Sequence, residues 1–298
     1  MSEETESMAP YIGVGVAILG VSFAAILVRW SDSPPLTIAV YRFVFFSLIL
    51  LPLVMATSRE EIRRLDRRDM GIMALIGLML AMHFFLFISS IKMTSVSNAV
   101  LLATSHPVIV GVLAFLLLRE SNRAVALGIV AGMLGMVIIA FGDMGGGNFP
   151  GDMVALASSI PFAGYILLGK VSRRKISLLP YVFLIFTTCA LFLLAGALVF
   201  QQPLLPVPME EVLIFLGLAV ISTMFGHTLF SWSLRYFTAS FVSLAYLGEP
   251  IGAAILAALL LAEPPTVNWM IGGVLVLVGI VLTARTEIAA RSERRQGR

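Results

Sequence analysis

The sequence has little charge and almost no cysteine. Charged residues make up 12% of the 298-residue chain against 59% hydrophobic ones, and the mean hydropathy is +1.00. That balance excludes an ordinary soluble globular domain. A single cysteine, Cys189, excludes an intrachain disulfide framework and a cysteine-based zinc site, and its apolar setting reads as a small buried hydrophobe. The segment Met1 to Pro10 carries Glu3, Glu4 and Glu6 but no Lys or Arg, so it lacks the basic region of a secretory signal and the first apolar run is expected to be retained. Between apolar runs no stretch exceeds about 15 residues, which leaves no room for a soluble signalling or scaffold domain. The formal net charge is +3, yet the basic residues sit between apolar runs rather than together on a surface, which argues against a nucleic-acid partner.

What remains is apolar sequence in lengths that match a bilayer. A helix crossing the hydrocarbon layer needs about 20 apolar residues, and ten runs fit: Tyr11 to Val28, Leu36 to Ala56, Met70 to Ser90, Val96 to Leu118, Ala124 to Phe141, Met153 to Gly169, Leu179 to Phe200, Val212 to Trp232, Ala239 to Leu261 and Asn268 to Ala284. Lys and Arg fall almost entirely in alternate connections: Arg59 to Arg68, Arg119 and Arg123, Lys170 to Lys175, Arg235, and the tail from Arg285 to Arg298. The other connections hold Arg29 and Lys92 alone. Because cytoplasmic loops retain positive charge, both termini are expected in the cytoplasm of a cell carrying the protein in its inner or plasma membrane. The basic tail reads as a solvated topological anchor.

The segment Ser90 to Glu120 aligns without gaps on Ser233 to Glu263 at a constant offset of 143 residues, pairing Ser97 with Ser240, Pro107 with Pro250 and Glu120 with Glu263. A duplication follows: residues 1–141 as a first five-helix repeat, a glycine-rich connector over 142–151, residues 152–285 as a second repeat, and a basic tail over 286–298. Five is odd, so the second copy is expected upside down relative to the first. The fold class expected is an all-α integral membrane protein with ten transmembrane helices in two inverted repeats. Such repeats place a small-molecule site near the bilayer midplane, where rocking of the halves gives alternating access.

Ionisable side chains within spans are costly and mark function. Glu249 is the one acid well inside a run, about 10 residues from either end and hence about 15 Å deep, and Pro250 behind it removes a helical hydrogen bond and predicts a kink with an unpaired Tyr246 carbonyl. Glu249 is the candidate for proton coupling, against a structural carboxyl at a kink. The repeat sets His106 and Pro107 opposite Glu249 and Pro250, making the two ionisable residues potential partners and both prolines candidate kinks at the cavity. His83 and His227 are candidates for the access path, each equally readable as a satisfied interhelical histidine. Arg42, about 9 Å into its span, can bind a carboxylate, pair with a buried acid, or snorkel to the outer interface. Tyr246 and Trp232, with Phe84, Tyr165 and Phe225, are candidates for stacking on a substrate or for ordinary packing. Gly128, Gly132, Gly135, Gly272 and Gly279 permit close helix packing, with a homodimer contact as the lesser alternative to a monomer.

Other chemistry is poorly served. The histidines lie on different runs without the spacing of HExxH, so no metal or other cofactor is expected. No GxSG occurs, Gly142–Asp143 lacks the earlier glycine of a GxGD site, and a single buried acid forms no carboxylate dyad, so an intramembrane enzyme is not expected.

Several longer strings carry a resemblance: PPLTIAVYRF at Pro34 to Phe43, TSVSNAVLLATSHP at Thr94 to Pro107, GHTLFSWSLRYFTASFVSLAYLGEP at Gly226 to Pro250, and LLLAEPPT at Leu259 to Thr266 followed by Gly272 and Gly273. Together, and over essentially the whole chain, they resemble the EamA branch of the drug/metabolite transporter superfamily. The resemblance implies ten helices in two inverted repeats around a central cavity, cytoplasmic termini, and export of amino acids, related metabolites or toxic small molecules, often on the proton gradient. It places Arg42 at the family's second-span arginine and Glu249–Pro250 at its ninth-span GEP motif, while His106 departs from the commoner small or apolar residue. The function expected is therefore secondary active transport of small metabolites, with an uncoupled facilitator or an exporter of organic cations as the alternative.

Overall fold

A computed structural model describes residues 8–118, 123–142, 149–261 and 267–296. Among them the regular structure is helical, with no strand. Eight helical segments are long and apolar enough to cross a membrane, and two shorter apolar helices, Val125–Ile138 and Val267–Thr283, occupy the fifth and tenth expected runs. The connector residues 143–148, with Gly145, Gly146 and Gly147, lie outside the described residues, as do Glu120 and Glu263.

The chain begins with α1 (Ala9–Trp30) and α2 (Pro35–Thr57), turns through a short α3 (Arg59–Arg63), and rises as α4 (Arg67–Met93). Asp66 caps α4 by accepting the Asp69 N–H at 2.7 Å, and this bond holds its carboxyl below the usual carboxylate range. The run expected over Val96 to Leu118 is two helices, α5 (Val96–Ala103) and α6 (His106–Leu118). After α7 (Arg123–Gly142), α8 (Phe149–Ser172) and α9 (Leu178–Val199), the eighth run opens as α10 (Met209–Gly217), widens into a π-helical stretch over Leu218–His227, and closes as α11 (Thr228–Ser233). The ninth run is again broken, into α12 (Ala239–Ala245) and α13 (Gly248–Leu260). The last helix, α14 (Val267–Gln296), continues 12 residues past Ala284, so most of the expected tail is helical.

The two breaks are built alike. Ser95 caps α5 by accepting the Asn98 N–H at 3.1 Å, and Thr238 caps α12 by accepting the Phe241 N–H at 3.2 Å. Each short helix then ends just before the proline-containing turn that starts its successor, because proline has no N–H to offer the previous turn. One detail differs from expectation: the Tyr246 carbonyl accepts the Glu249 N–H at 2.9 Å, a tighter turn that takes up the group left by Pro250.

Packing closes the bundle through small residues. α7 lies along α14, where a Cβ on Gly279 would stand 2.5 Å from the Gly128 carbonyl oxygen and 2.9 Å from the Gly132 nitrogen. These glycines are therefore spent on an intramolecular contact. Gly20 of α1 meets the π-helical stretch in the same way: a Cβ there would stand 2.8 Å from both the Ile221 carbonyl oxygen and the Gly226 nitrogen. Cys189 is buried in the apolar core with Phe43, Phe46, Phe84 and Phe186.

Polar contacts gather at the two ends. At the arginine-rich end Lys175 pairs with Asp69, Glu61 accepts from the Ser177 N–H at 2.7 Å, Lys170 donates to the Leu234 carbonyl at 2.9 Å, and Arg173 donates to the Ser231 carbonyl at 3.1 Å. At the other end Glu211 accepts from the Ser31 hydroxyl at 2.5 Å, the Asp32 N–H at 2.7 Å and the Ser33 hydroxyl at 2.8 Å. Beside it Tyr41 and Thr37 donate to the Leu204 and Pro203 carbonyls, and Asp152 accepts from Thr94 at 2.8 Å.

Candidate functional site

Between these two latched ends lies a small buried cavity. It is lined by His83, Phe84 and Phe87 of α4, Ala103 and Thr104 at the end of α5, His106 at the start of α6, Phe162 of α8, His227 of the π-helical stretch and Glu249 of α13. All three histidines of the chain thus line one pocket with Glu249. The cavity measures about 10 Å³, room for about one water molecule.

The helix breaks explain how polar groups reach this depth. Ending α5 at Ala103 and restarting at His106 turns Thr104 and the imidazole toward the centre, and the matching break at Tyr246 and Leu247 presents Glu249 from the opposite side. His106 Nδ1 lies 2.7 Å from the Ser243 hydroxyl of α12, whereas its Nε2 is buried with no hydrogen-bond partner. Glu249, 7% exposed, has no hydrogen bond or ion pair to the described residues, so no bond joins it to His106 in this state.

The other two imidazoles are oriented by neighbours. His83 Nδ1 lies 2.9 Å from the Ser158 carbonyl; a carbonyl only accepts, so that nitrogen carries a proton and Nε2 is the atom left to face other partners. The ring stacks on Phe87 and sits 4.3 Å from the Phe162 centroid. His227 Nδ1 is 3.2 Å from the Tyr246 hydroxyl, and Tyr246 is held by Phe230 at 3.6 Å between ring centroids. Tyr246 thus stands behind His227 rather than in the cavity wall. Trp232 is not brought to the cavity: its indole covers Gly13 and meets Tyr236 at 4.9 Å near the arginine-rich end. Phe225 is exposed on the outside of the bundle, and Tyr165 bonds the Ser231 hydroxyl at 2.9 Å.

Arg42 does not snorkel. It is 0% exposed, with Nε donating to the Thr223 hydroxyl at 2.8 Å and its guanidinium carbon 4.6 Å from the Phe84 ring centroid and 5.1 Å from that of Phe43. The π-helical turn makes this contact, since Thr223 itself bonds the Leu218 carbonyl five residues back. Sequence reasoning missed that turn, along with Phe162 and Thr104.

The sequence of the whole bundle matches one family description, EamA-like transporter family, twice, over residues 8–141 and again over 149–285. The chain belongs to the EamA-like transporter family. The match is to the same family in both halves, and the cavity takes its wall from each: His83, Phe84 and His106 from the first, Phe162, His227 and Glu249 from the second. Relatives include an uncharacterized transporter of Archaeoglobus fulgidus, 26% identical over 92% of this chain and 97% of its own, and an uncharacterized transporter of Clostridium kluyveri, 23% identical over 83% of each. A protein of Salmonella typhimurium named "Probable amino-acid metabolite efflux pump" is 26% identical over 90% of this chain and 91% of its own. A solved crystal structure superposes with a TM-score of 0.73 at 18% identity, covering 96% of this chain and 99% of the other; that likeness shows the fold. The protein is a multi-pass membrane transporter by family, and a small-molecule substrate and a lipid bilayer are its implied partners.

Proposed function

We infer that this EamA-family protein is a secondary active transporter that exports small metabolites, with amino acids or related compounds as the expected class, across the cytoplasmic membrane by alternating access coupled to protons. The observation that carries the reading is the cavity: a pocket about one water molecule in size between the two family-matched halves, lined by Glu249 and all three histidines together with aromatic rings, with polar latches toward both ends. A permanent pore would need an open path, whereas a carrier passes through a state closed at both ends. Two five-helix repeats over 1–141 and 152–285, inverted about a connector at 142–151, with cytoplasmic termini and the positive tail of 286–298, complete the architecture read here. Support for the amino-acid class comes from the name of the Salmonella relative.

In this reading Glu249 exchanges the coupling proton, His106 and His83 supply neighbouring acceptors, and the breaks before Pro107 and Pro250 are the joints about which each half flexes. The test is transport into proteoliposomes of the purified protein, with protein-free vesicles as baseline and amino acids and organic cations as substrates. Saturable uptake driven uphill by a pH gradient is expected in the wild type. Glu249→Gln should lose the gradient response while keeping exchange; full gradient-driven uptake by the variant would make Glu249 structural. Uptake of organic cations alone would favour the drug-exporter alternative, and linear uptake without counterflow a facilitator.

A further inference from the structure

Protons pass along hydrogen bonds through groups that both accept and donate, which hydroxyls and imidazoles do and carbonyls do not. The three cavity histidines differ in what stands behind them. His83 Nδ1 faces the Ser158 carbonyl, which ends that route at the backbone. His106 Nδ1 faces the Ser243 hydroxyl, which leads to no further side-chain hydroxyl among the described residues. Thr104 turns its hydroxyl back onto the Val100 and Leu101 carbonyls at 2.8 and 2.9 Å.

Among the described residues only His227 opens onto a series of hydroxyls. Its Nδ1 lies 3.2 Å from the Tyr246 hydroxyl, the Tyr246 hydroxyl meets that of Tyr165, and the Tyr165 hydroxyl lies 2.9 Å from that of Ser231. The Phe162 ring packs on both tyrosines, at centroid distances of 5.2 Å to Tyr165 and 5.0 Å to Tyr246. Tyr246, Tyr165 and Ser231 are all buried. The break between α12 and α13 carries Tyr246, α8 carries Tyr165, and α11 carries Ser231. Ser231 follows His227 by four residues, about 6 Å further along the helix axis, and its carbonyl is the one that Arg173 holds at 3.1 Å. The series therefore runs from the cavity toward the arginine-rich end.

We propose that His227, Tyr246, Tyr165 and Ser231 form a one-sided proton path, by which Glu249 is loaded and unloaded from the arginine-rich end. This rests on the proton-coupled reading above and supplies the route for that same site. For inward transfer, Ser231 Oγ takes a proton from water admitted when that end opens and passes its own to Tyr165. Tyr165 passes its own to Tyr246, and Tyr246 passes its own to His227 Nδ1. His227 Nε2 then releases its proton to the Glu249 carboxylate across the pocket that both line. Each O–H or N–H bond broken is matched by one formed, no electrons change hands, and one proton has moved. Outward transfer reverses every step and resets the hydroxyls. Toward the Glu211 end the described residues hold no matching series, so the path by itself carries no proton across the membrane.

The experiment uses the purified full chain in detergent. A caged acid releases protons in a flash, and time-resolved infrared absorption follows the carboxyl C=O band that Glu249→Gln removes. Tyr246→Phe, Tyr165→Phe and Ser231→Ala should each slow the rise of that band by about a hundredfold, the low end for losing a positioned proton-transfer group. The double variant Tyr165→Phe/Tyr246→Phe should be no slower than the slower single one, because a series broken twice is no more broken than once, whereas independent packing losses add. Tyr181→Phe, which removes a buried hydroxyl without a partner, should leave the rise unchanged. A rise of wild-type speed in any of the three path variants overturns the proposal, as does the absence of a Glu249 band from the wild type. Should one variant not fold, the other two decide. In proteoliposomes, gradient-driven uptake that Glu249→Gln loses but Tyr246→Phe and Tyr165→Phe keep would sink the path and leave proton coupling standing. Slowed protonation of Glu249 in a protein whose wild type shows no gradient-driven uptake would do the reverse.

Discussion

At the scale of single residues the site is defined by which polar atoms have partners. His83 is fixed by the Ser158 carbonyl and His106 by the Ser243 hydroxyl, so removing that hydroxyl tests how firmly the His106 imidazole is aimed. Ser243→Ala should cost about 1 kcal/mol of stability, the ordinary worth of a neutral hydrogen bond. It should also raise the KM for transport more than it lowers kcat, because His106 is then free to turn; thermal unfolding in detergent and initial rates in vesicles measure the two. Thr223→Val should be more severe. It strips the last hydrogen bond from Arg42 and leaves a buried charge without any, a loss of about 2–3 kcal/mol, seen as a lower unfolding temperature that Arg42→Met in the same chain partly recovers.

At the scale of elements, some features were legible in the sequence and others depend on contacts it does not advertise. The prolines at 107 and 250, in register across the repeat, foretold breaks where the ninth and fourth runs do divide. Glu249, His106, His83 and His227 stand out in the sequence because ionisable groups are conspicuous in apolar runs, and the structure sets all four around one pocket. Trp232 was misplaced because an aromatic side chain signals burial without signalling against what, and its partner Gly13 lies at the far end of the chain. The π-helical stretch was invisible for the same reason: its shape is tied to the close approach of Gly20, a residue about 200 positions away. Glycine contacts of this kind give a sharp prediction. Gly279→Leu must force α7 and α14 apart and should destabilise the protein by about 1–3 kcal/mol, whereas Gly15→Leu, with nothing within 4 Å of the added Cβ, should leave the unfolding temperature nearly unchanged.

At the scale of the whole molecule, the two ends are held by different chemistry. One centres on a carboxylate, Glu211, that gathers donors from the turn between α1 and α2; the other adds to Asp69 and Glu61 the lysine and arginine side chains that reach carbonyls at helix ends, where cations are favoured. Loosening one latch should therefore bias the molecule toward opening on that side alone. With Cys189→Ala to remove the native thiol and Thr104→Cys to report from the cavity wall, Glu211→Ala should make the new cysteine react several-fold faster with a membrane-impermeant maleimide added from the side of the α1–α2 turn. Labelling that does not accelerate would mean that Glu211 is not a gate.

The size of the cavity carries one more consequence. A space holding about one water molecule has no room for a file of water between the histidines and Glu249, so among the described residues this pocket offers protons or small ions no wire to follow. A cell can thus crowd its membrane with this protein without short-circuiting the voltage across it, and the resting protein should add no measurable conductance to a planar bilayer.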